Sequence, residues 1–175
     1  MTVEIRALRT DDDRRSFQSG DEDLDRYFHR YAGQNQFRHH IGVTYVAVER
    51  SELIGFVTVS PATLDADDLP GGRRMPPYPI PVLRVARLAV GKAQQGRGLG
   101  RALLRFALEL AEKLRDEVGC VGLVVDAKLG AVEFYRRYGF VPLDASEGRG
   151  AAGRPAPAPM FVALGSVPPP SSRGR

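Results

Sequence analysis

The feature that most constrains the fold is a glycine-rich segment between a predicted strand and the clearest helix of the chain. The strand covers Leu83 to Val90, and the segment runs from Gly91 to Gly100. Glycines at such a junction let backbone N–H groups converge on an anion at the positive end of the helix. An ordinary turn can also supply this spacing. The helix continues to Gly119, because apolar residues recur every three or four positions: Leu99, Leu103, Phe106, Leu110 and Leu114.

Hydrophobic periodicity places further strands and helices around this junction, in an order typical of an α/β protein. Pro61 to Pro81 carries six prolines and predicts a long loop. The other predicted helices are Asp21–Ala32 and Leu129–Tyr138. The other predicted strands are Val3–Leu8, Val43–Glu49 and Leu53–Ser60, which form a hairpin, Val121–Val125, Phe140–Leu143 and Met160–Leu164.

Length and charge set the broad class of protein. The 175 residues predict one domain over residues 1–165 and a disordered tail over residues 166–175. The formal charge of +4 comes mainly from arginine, whose planar guanidinium suits phosphate, although a GC-rich genome also explains it. No apolar run reaches the roughly 20 residues of a membrane span, and the N-terminus lacks the apolar core of a signal peptide. We therefore expect a cytoplasmic protein with no membrane partner.

Two motifs resemble those of the GNAT N-acetyltransferases. Gln95-x-x-Gly98-x-Gly100 is similar to the cofactor motif of the family, and Ala131-x-x-Phe134-Tyr135-x-x-Tyr138-Gly139-Phe140 is similar to its second signature. The resemblance implies acetyl-CoA as cosubstrate and a GNAT-like α/β domain, with a mixed central sheet of splayed parallel strands flanked by helices. The implied cofactor-binding residues are Leu88, Ala89, Val90, Gln95, Gly96, Arg97, Gly98, Leu99, Gly100 and Arg101.

In the strand before the glycine-rich segment, the alternation of apolar and polar residues is interrupted. Its apolar residues change parity, which predicts a β-bulge near Ala86 and Arg87. In the family that the chain resembles, a bulged strand leaves backbone N–H groups free for the acetyl carbonyl. The resemblance therefore implies that backbone donors of Leu88, Ala89 and Val90 stabilise the developing oxyanion.

The resemblance also gives Tyr135 a role, as the general acid that protonates the departing thiolate of CoA. A phenol with an unperturbed pKa of about 10 is a donor at neutral pH and is comparable in basicity to the thiolate. The alternative is a core aromatic, because Phe134 and Tyr138 lie within the same helical turn. Lys128 stands where the family usually has an asparagine that contacts the cofactor, which leaves that contact open.

Other titratable residues do not define a second chemistry. Glu133 and Asp126 are candidate bases, but each also fits as a surface charge or a residue near a helix start, and no base is assigned. His29, His39 and His40 have no cysteine or carboxylate partner at ligand spacing, so solvent-facing histidines and no metal site are expected.

A further set of residues resembles the toxin branch of the superfamily: Phe17-x-Ser19-Gly20, Leu24-Asp25-x-Tyr27, Ala32-x-Gln34 and Pro79-Ile80-Pro81-Val82. Members of that branch acetylate the amino group of an aminoacyl-tRNA and are neutralised by a small DNA-binding antitoxin. The resemblance therefore implies aminoacyl-tRNA and such an antitoxin as partners. A homodimer is a candidate assembly.

Arginine placement is consistent with an RNA-contacting surface. Arg84 and Arg87 near the predicted bulge, and Arg73 and Arg74 in the proline-rich loop, are the candidate RNA contacts. A charged stripe is also often only a solvated face. Two other functions stay open beside aminoacyl-tRNA acetylation: a housekeeping N-acetyltransferase of a small amine or protein N-terminus, and a non-catalytic module that binds CoA or RNA.

Overall fold

The computed structural model describes residues 2–70, 75–143 and 158–165. The α-helices are α1 (Glu22–Arg30), α2 (Leu99–Glu117) and α3 (Val132–Arg136). The strands are β1 (Glu4–Ala7), β2 (Val43–Glu49), β3 (Glu52–Leu64), β4 (Ile80–Val90), β5 (Gly122–Ala127), β6 (Val141–Pro142) and β7 (Ala158–Ala163). The strands form a seven-stranded mixed sheet in the order β1-β2-β3-β4-β5-β7-β6, which confirms the predicted α/β fold.

The chain divides into two compact units. The first comprises Met1–Pro61 and Arg84–Leu110, and the second comprises Ala62–Leu83 and Ala111–Arg175. In the first unit, β2 pairs antiparallel with β1 and with β3, so the predicted hairpin is confirmed. In the second unit, β7 pairs antiparallel with β5 and with β6.

Aromatic side chains fill the core of the first unit. Phe28 of α1 stacks on Phe56 of β3 with ring centroids 4.3 Å apart, and Phe17 meets both rings edge-on. Asp21 caps α1, because its carboxylate accepts hydrogen bonds from the backbone N–H groups of Asp23 and Leu24. This packing fixes the chain from Phe17 through α1 against β3.

Apolar residues of three strands contribute to the core of the second unit. Ile80 of β4 packs with Val124 of β5 and Phe161 of β7. The strands approach closely at Gly122, where an added Cβ would lie 2.3 Å from the carbonyl oxygen of Val162. Only glycine fits there without a shift of the backbone.

The long loop predicted at Pro61–Pro81 is partly wrong. The strand β3 continues to Leu64, a 3₁₀ turn forms at Ala66–Asp68, and β4 already begins at Ile80. Ala62 and Leu64 pack against the core of the second unit, and this burial explains why the strand continues beyond Pro61.

The two helices that follow the glycine-rich segment differ in how well they match expectation. The first is confirmed: α2 is followed by Gly119 at φ +124°, whose N–H donates to the carbonyl oxygen of Leu114 at 2.6 Å. The second is shorter than predicted, since a 3₁₀ turn at Leu129–Ala131 precedes the five residues of α3. Gly139, at φ +88°, follows its end.

The burial pattern of β4 changes parity earlier than its sequence suggests. Val82 and Leu83 are buried in succession, and Ala89 stays in phase with Leu83, while Leu88 and Val90 are half-buried. The bulge near Ala86 and Arg87 stays a prediction.

Some expectations concern parts of the chain outside the described residues. The tail at residues 166–175 lies there, so its disorder and the single-domain boundary at residue 165 stay predictions. Within the described ranges, no helix is long and apolar enough to cross a membrane.

Candidate active site

The segment Gly91–Gly100, here called the glycine loop, has backbone N–H groups from Gly96 to Gly98 that donate to no described residue. Gly96 and Gly98 have φ of +85° and +81°, and an added Cβ at either would meet no atom within 4 Å. These N–H groups lie at the N-terminus of α2, where the helix dipole favours an anion. The loop therefore fits the pyrophosphate that the sequence predicts for it.

Hydrogen bonds to backbone carbonyl oxygens of neighbouring segments hold the glycine loop in place. The side-chain amide of Gln95 donates to the carbonyl oxygens of Ser19, at 2.8 Å, and Val90, at 3.2 Å. The N–H groups of Lys92 and Gly91 donate to the carbonyl oxygens of Gln18, at 2.7 Å, and Ile54, at 2.8 Å. The Gln95 side chain, predicted to bind the cofactor, is thus used to brace the loop.

The two arginines predicted to bind the cofactor differ in their partners. Arg97 forms an ion pair with Glu49, with Nη2 at 3.2 Å from Oε2, and also contacts the side-chain oxygen of Gln94. Arg101 is exposed and makes no hydrogen bond or ion pair with the described residues. Arg101 is therefore the arginine of this pair whose donors are available to a phosphate.

Strand β4 brings Leu88, Ala89 and Val90 directly before the glycine loop. Ala89 is buried, and its carbonyl oxygen would lie 3.1 Å from a Cβ added at Gly55, so this neighbour must be small. The oxyanion-stabilising role of the three backbone N–H groups stays a prediction.

The candidate RNA-binding arginines fall in different surroundings. The guanidinium of Arg87 lies over the ring of Tyr27, with its carbon 3.8 Å from the ring centroid, and forms a cation–π contact. Arg84 is exposed on the same strand. Arg73 and Arg74 lie outside the described residues.

Tyr135 is buried by aromatic packing. Its ring meets Phe134 and Phe140 edge-on, at centroid distances of 5.1 and 5.4 Å, and the residue is 7% exposed. The hydroxyl has no hydrogen-bond partner among the described residues.

Burial also changes the acidity of Tyr135. Desolvation disfavours the phenolate and raises the pKa of Tyr135 to about 12. The assumption of an unperturbed phenol is therefore wrong. The neutral, proton-donating form persists well above physiological pH.

The other titratable residues are engaged in local contacts. Glu133 is exposed and lies 3.5 Å from Nη1 of Arg136. His29 is half-buried, with Nε2 at 2.7 Å from the carbonyl oxygen of Phe17, so the expectation of a solvent-facing side chain is wrong for it. Among the described residues, no three histidine, cysteine or carboxylate side chains are grouped to hold a metal ion.

Two residues, Glu49 and Asp25, contribute to the site, although no sequence pattern gave either of them a role there. Glu49 ends β2 and pairs with the glycine loop through Arg97. Asp25 binds Ser19, which in turn accepts from Gln95. The signal for Asp25 was its place in the signature that resembles the toxin branch. Glu49 offers no such signal, because its partner is 48 positions away.

Comparisons with known proteins agree with this geometry. The "Acetyltransferase (GNAT) domain" family matches residues 40–142. A "tRNA-acetylating toxin" of Mycobacterium tuberculosis is 34% identical over 123 residues, which cover 70% of this chain and 74% of that protein. The chain therefore belongs to the GNAT acetyltransferase family. It is an acyltransferase, and its acyl donor is acetyl-CoA.

Solved structures share the fold. "AtaT complexed with acetyl-methionyl-tRNAfMet" matches with a TM-score of 0.82 and 24% identity, over 94% of this chain and 96% of that chain. "Crystal structure of AtaTR bound with AcCoA" matches with a TM-score of 0.76 and 25% identity, over 94% of this chain and 95% of that chain.

Proposed function

We propose that this chain acetylates the amino group of an aminoacyl-tRNA and thereby blocks translation, as a toxin neutralised by a small DNA-binding antitoxin. The observation that carries the proposal is the 34% identity to a tRNA-acetylating toxin over 70% of the chain. The residues at 17–34 that resemble the toxin branch also support it, because Tyr27 contacts Arg87 and Ser19 accepts a hydrogen bond from Gln95 of the glycine loop.

The glycine loop is proposed to bind the pyrophosphate of acetyl-CoA through backbone donors. Gly96, Arg97 and Gly98 supply N–H groups, and Arg101, four residues after Arg97, supplies an exposed guanidinium. Leu99 and Gly100 begin α2 and add the positive end of the helix dipole. Backbone N–H groups of Leu88 to Val90 are proposed to stabilise negative charge on the acetyl oxygen.

Tyr135 is proposed to donate a proton to the leaving sulfur. Because its pKa is about 12, the phenol is neutral at every working pH, so it always carries the proton that it donates. The same value makes complete proton transfer to the CoA thiolate unfavourable in isolation, because the thiol that forms is the stronger acid. The proton that the acceptor nitrogen loses on acylation balances the one that sulfur gains, and the phenol then returns to its neutral form.

A dedicated base is not needed for this acceptor. An α-amino group has a reference pKa of about 7.7 to 8.0, and esterification of the carboxyl lowers the value further. Much of the amine is therefore neutral near pH 7. The protein has mainly to place the acceptor and polarise the thioester.

Arg84 and Arg87 are proposed to contact phosphates of the tRNA. Arg87 stands directly before Leu88, and the ring of Tyr27 holds its guanidinium. Arg73 and Arg74 remain candidates from sequence. We also infer that the protein acts in the cytoplasm, because charged tRNA and acetyl-CoA occur together there. A single domain over residues 1–165 stays a prediction, and so does a homodimer.

The decisive experiment is transfer of labelled acetyl from acetyl-CoA to charged tRNA, followed by mild alkaline release of the N-acetyl amino acid. We expect transfer to charged tRNA and none to uncharged tRNA. Transfer to polyamines or peptides, with none to charged tRNA, would overturn the tRNA assignment and favour a housekeeping role. Absence of all transfer, with acetyl-CoA still bound, would favour a non-catalytic module.

Salt dependence tests the arginines. Phosphate contacts are weakened by salt, so the KM for charged tRNA should rise with salt along a log–log slope. Arg87→Ala should lower that slope by about 0.7 to 0.9 and leave the affinity for acetyl-CoA within about twofold. The matched control is Arg115→Ala, an exposed arginine near the end of α2. An equal change in both variants would mean that only net charge matters.

A further inference from the structure

A short turn before α1 is tied to the helix by one carboxylate. Oδ1 of Asp25 accepts hydrogen bonds from the N–H of Ser19, at 2.9 Å, and from its hydroxyl, at 2.7 Å. The hydroxyl oxygen in turn accepts from the N–H of Asp21 at 3.1 Å. Ser19 is only 8% exposed, and Gly20 turns the chain with φ +92°. The conformation of Gln18–Gly20, here called the hinge turn, therefore depends on Asp25.

The opposite side of the hinge turn faces the glycine loop. The carbonyl oxygen of Gln18 accepts from the N–H of Lys92 at 2.7 Å. The carbonyl oxygen of Ser19 accepts from the side-chain amide of Gln95 at 2.8 Å, and the same amide reaches the carbonyl oxygen of Val90. A continuous chain of hydrogen bonds thus runs from the Asp25 carboxylate through Ser19 to Gln95 in the middle of the loop, and on to Val90 directly before it.

We propose that Asp25 is a positioning residue for the cofactor, acting through Ser19 and Gln95 on the glycine loop. Bonds to a carboxylate are shorter and stronger than neutral ones, which suits an anchor. The loop binds with N–H groups whose directions must match the phosphate oxygens, so small shifts of its backbone should cost affinity. The inference rests on the proposed cofactor site in this loop.

This role also explains part of the signature at residues 17–27. Phe17 fixes the start of the segment in the aromatic core, Ser19 and Asp25 form the anchor, and Gly20 supplies the positive φ of the turn. Tyr27, one turn of α1 after Asp23, supports Arg87. One short segment thus braces the cofactor loop and holds an arginine proposed to contact the acceptor.

Calorimetry with acetyl-CoA on Asp25→Ala, Gln95→Ala and the double variant tests the proposal. Each single change should weaken binding about 5- to 10-fold. The double variant should bind acetyl-CoA at most about twofold more weakly than either single variant, because both changes break the same chain of contacts. Asp25→Asn should be intermediate, since its amide oxygen still accepts from Ser19. Turnover at saturating acetyl-CoA should stay within about threefold.

Two reference variants separate the possible failures. Asp23→Ala removes a neighbouring exposed carboxylate of α1 and changes the net charge equally, so it should leave the affinity for acetyl-CoA unchanged. Unchanged affinity in folded Asp25→Ala, or full additivity with Gln95→Ala, would overturn the positioning role. If Gly98→Asp also left affinity unchanged, the cofactor would not bind at this loop, and the proposed site itself would be wrong.

Discussion

The glycine loop and the surroundings of Tyr135 place a functional group in opposite ways. The loop is exposed, offers backbone donors, and is held by hydrogen bonds from Gln95, Lys92 and Gly91. Tyr135 offers a side chain, and packing against Phe134 and Phe140 holds it, with no hydrogen bond at its hydroxyl among the described residues. Polar bracing leaves backbone donors of the loop free for a ligand, whereas apolar packing fixes a single phenol and raises its pKa.

This difference predicts different sensitivities. The loop should tolerate changes of side-chain identity but not of backbone conformation or charge. Loss of the Tyr135 hydroxyl should leave the packing and the stability of the protein unchanged, but it should lower turnover.

The largest expected effect is that of Tyr135→Phe. We expect turnover to fall by about 10² to 10⁴, as is typical when a general acid is removed. Affinity for acetyl-CoA and the melting temperature should barely change, because the oxygen makes no hydrogen bond with the described residues. Single-turnover rates at saturating substrates, with calorimetry on the same samples, measure both. Unchanged turnover would return Tyr135 to a purely packing role.

The same pair of proteins tests the pKa. An ordinary tyrosine ionises near pH 10, whereas burial raises the pKa of Tyr135 to about 12. The tyrosinate absorbance gained between pH 8 and 10.5 should therefore be equal in wild type and Tyr135→Phe. A smaller gain in the variant would mean that Tyr135 titrates normally.

The next effect in size is that of Gly98→Asp on cofactor binding. The carboxylate would occupy the open space beside the loop and repel phosphate, and the left-handed φ of +81° adds strain. Affinity for acetyl-CoA should fall about 30-fold or more, equivalent to roughly 2 kcal/mol. Gly165→Asp is the control, since that glycine has φ +93° and equally open space around its Cβ. Equal affinities for the two variants would mean that the loop is an ordinary turn.

Local patterns in the sequence were enough to predict the glycine loop and α2. Both depend on residues close in the chain: the positive φ at Gly96 and Gly98, and the apolar spacing that ends at Gly119. The extension of β3 beyond Pro61 was not predictable in this way, because it depends on packing of Leu64 against residues distant in sequence.

The site shows the same division. The motif around Tyr135 predicted a donor, but the rise of its pKa depends on the surrounding protein, which no local pattern reports. The motif also predicted that Gln95 belongs to the loop. Its bond to Ser19 joins residues 76 positions apart, and so the bracing role appears only in the structure.

The smallest effect concerns the ion pair at the edge of the loop and has the opposite sign. The carboxylate of Glu49, 12% exposed, partly neutralises Arg97, which lies between Gly96 and Gly98. Glu49→Gln keeps the size and an acceptor oxygen but removes the charge. At a separation of roughly 8 Å in water, one charge is worth about 0.5 kcal/mol, so affinity for acetyl-CoA should rise about two- to threefold at low salt. The rise should vanish near 1 M salt, where the screening length is about 3 Å.

Glu109→Gln, which breaks the exposed pair with Arg105, changes net charge equally and should have less effect. A fall in affinity for Glu49→Gln would instead show that the ion pair braces the loop as Gln95 does, and that polar bracing of the loop extends to its exposed edge.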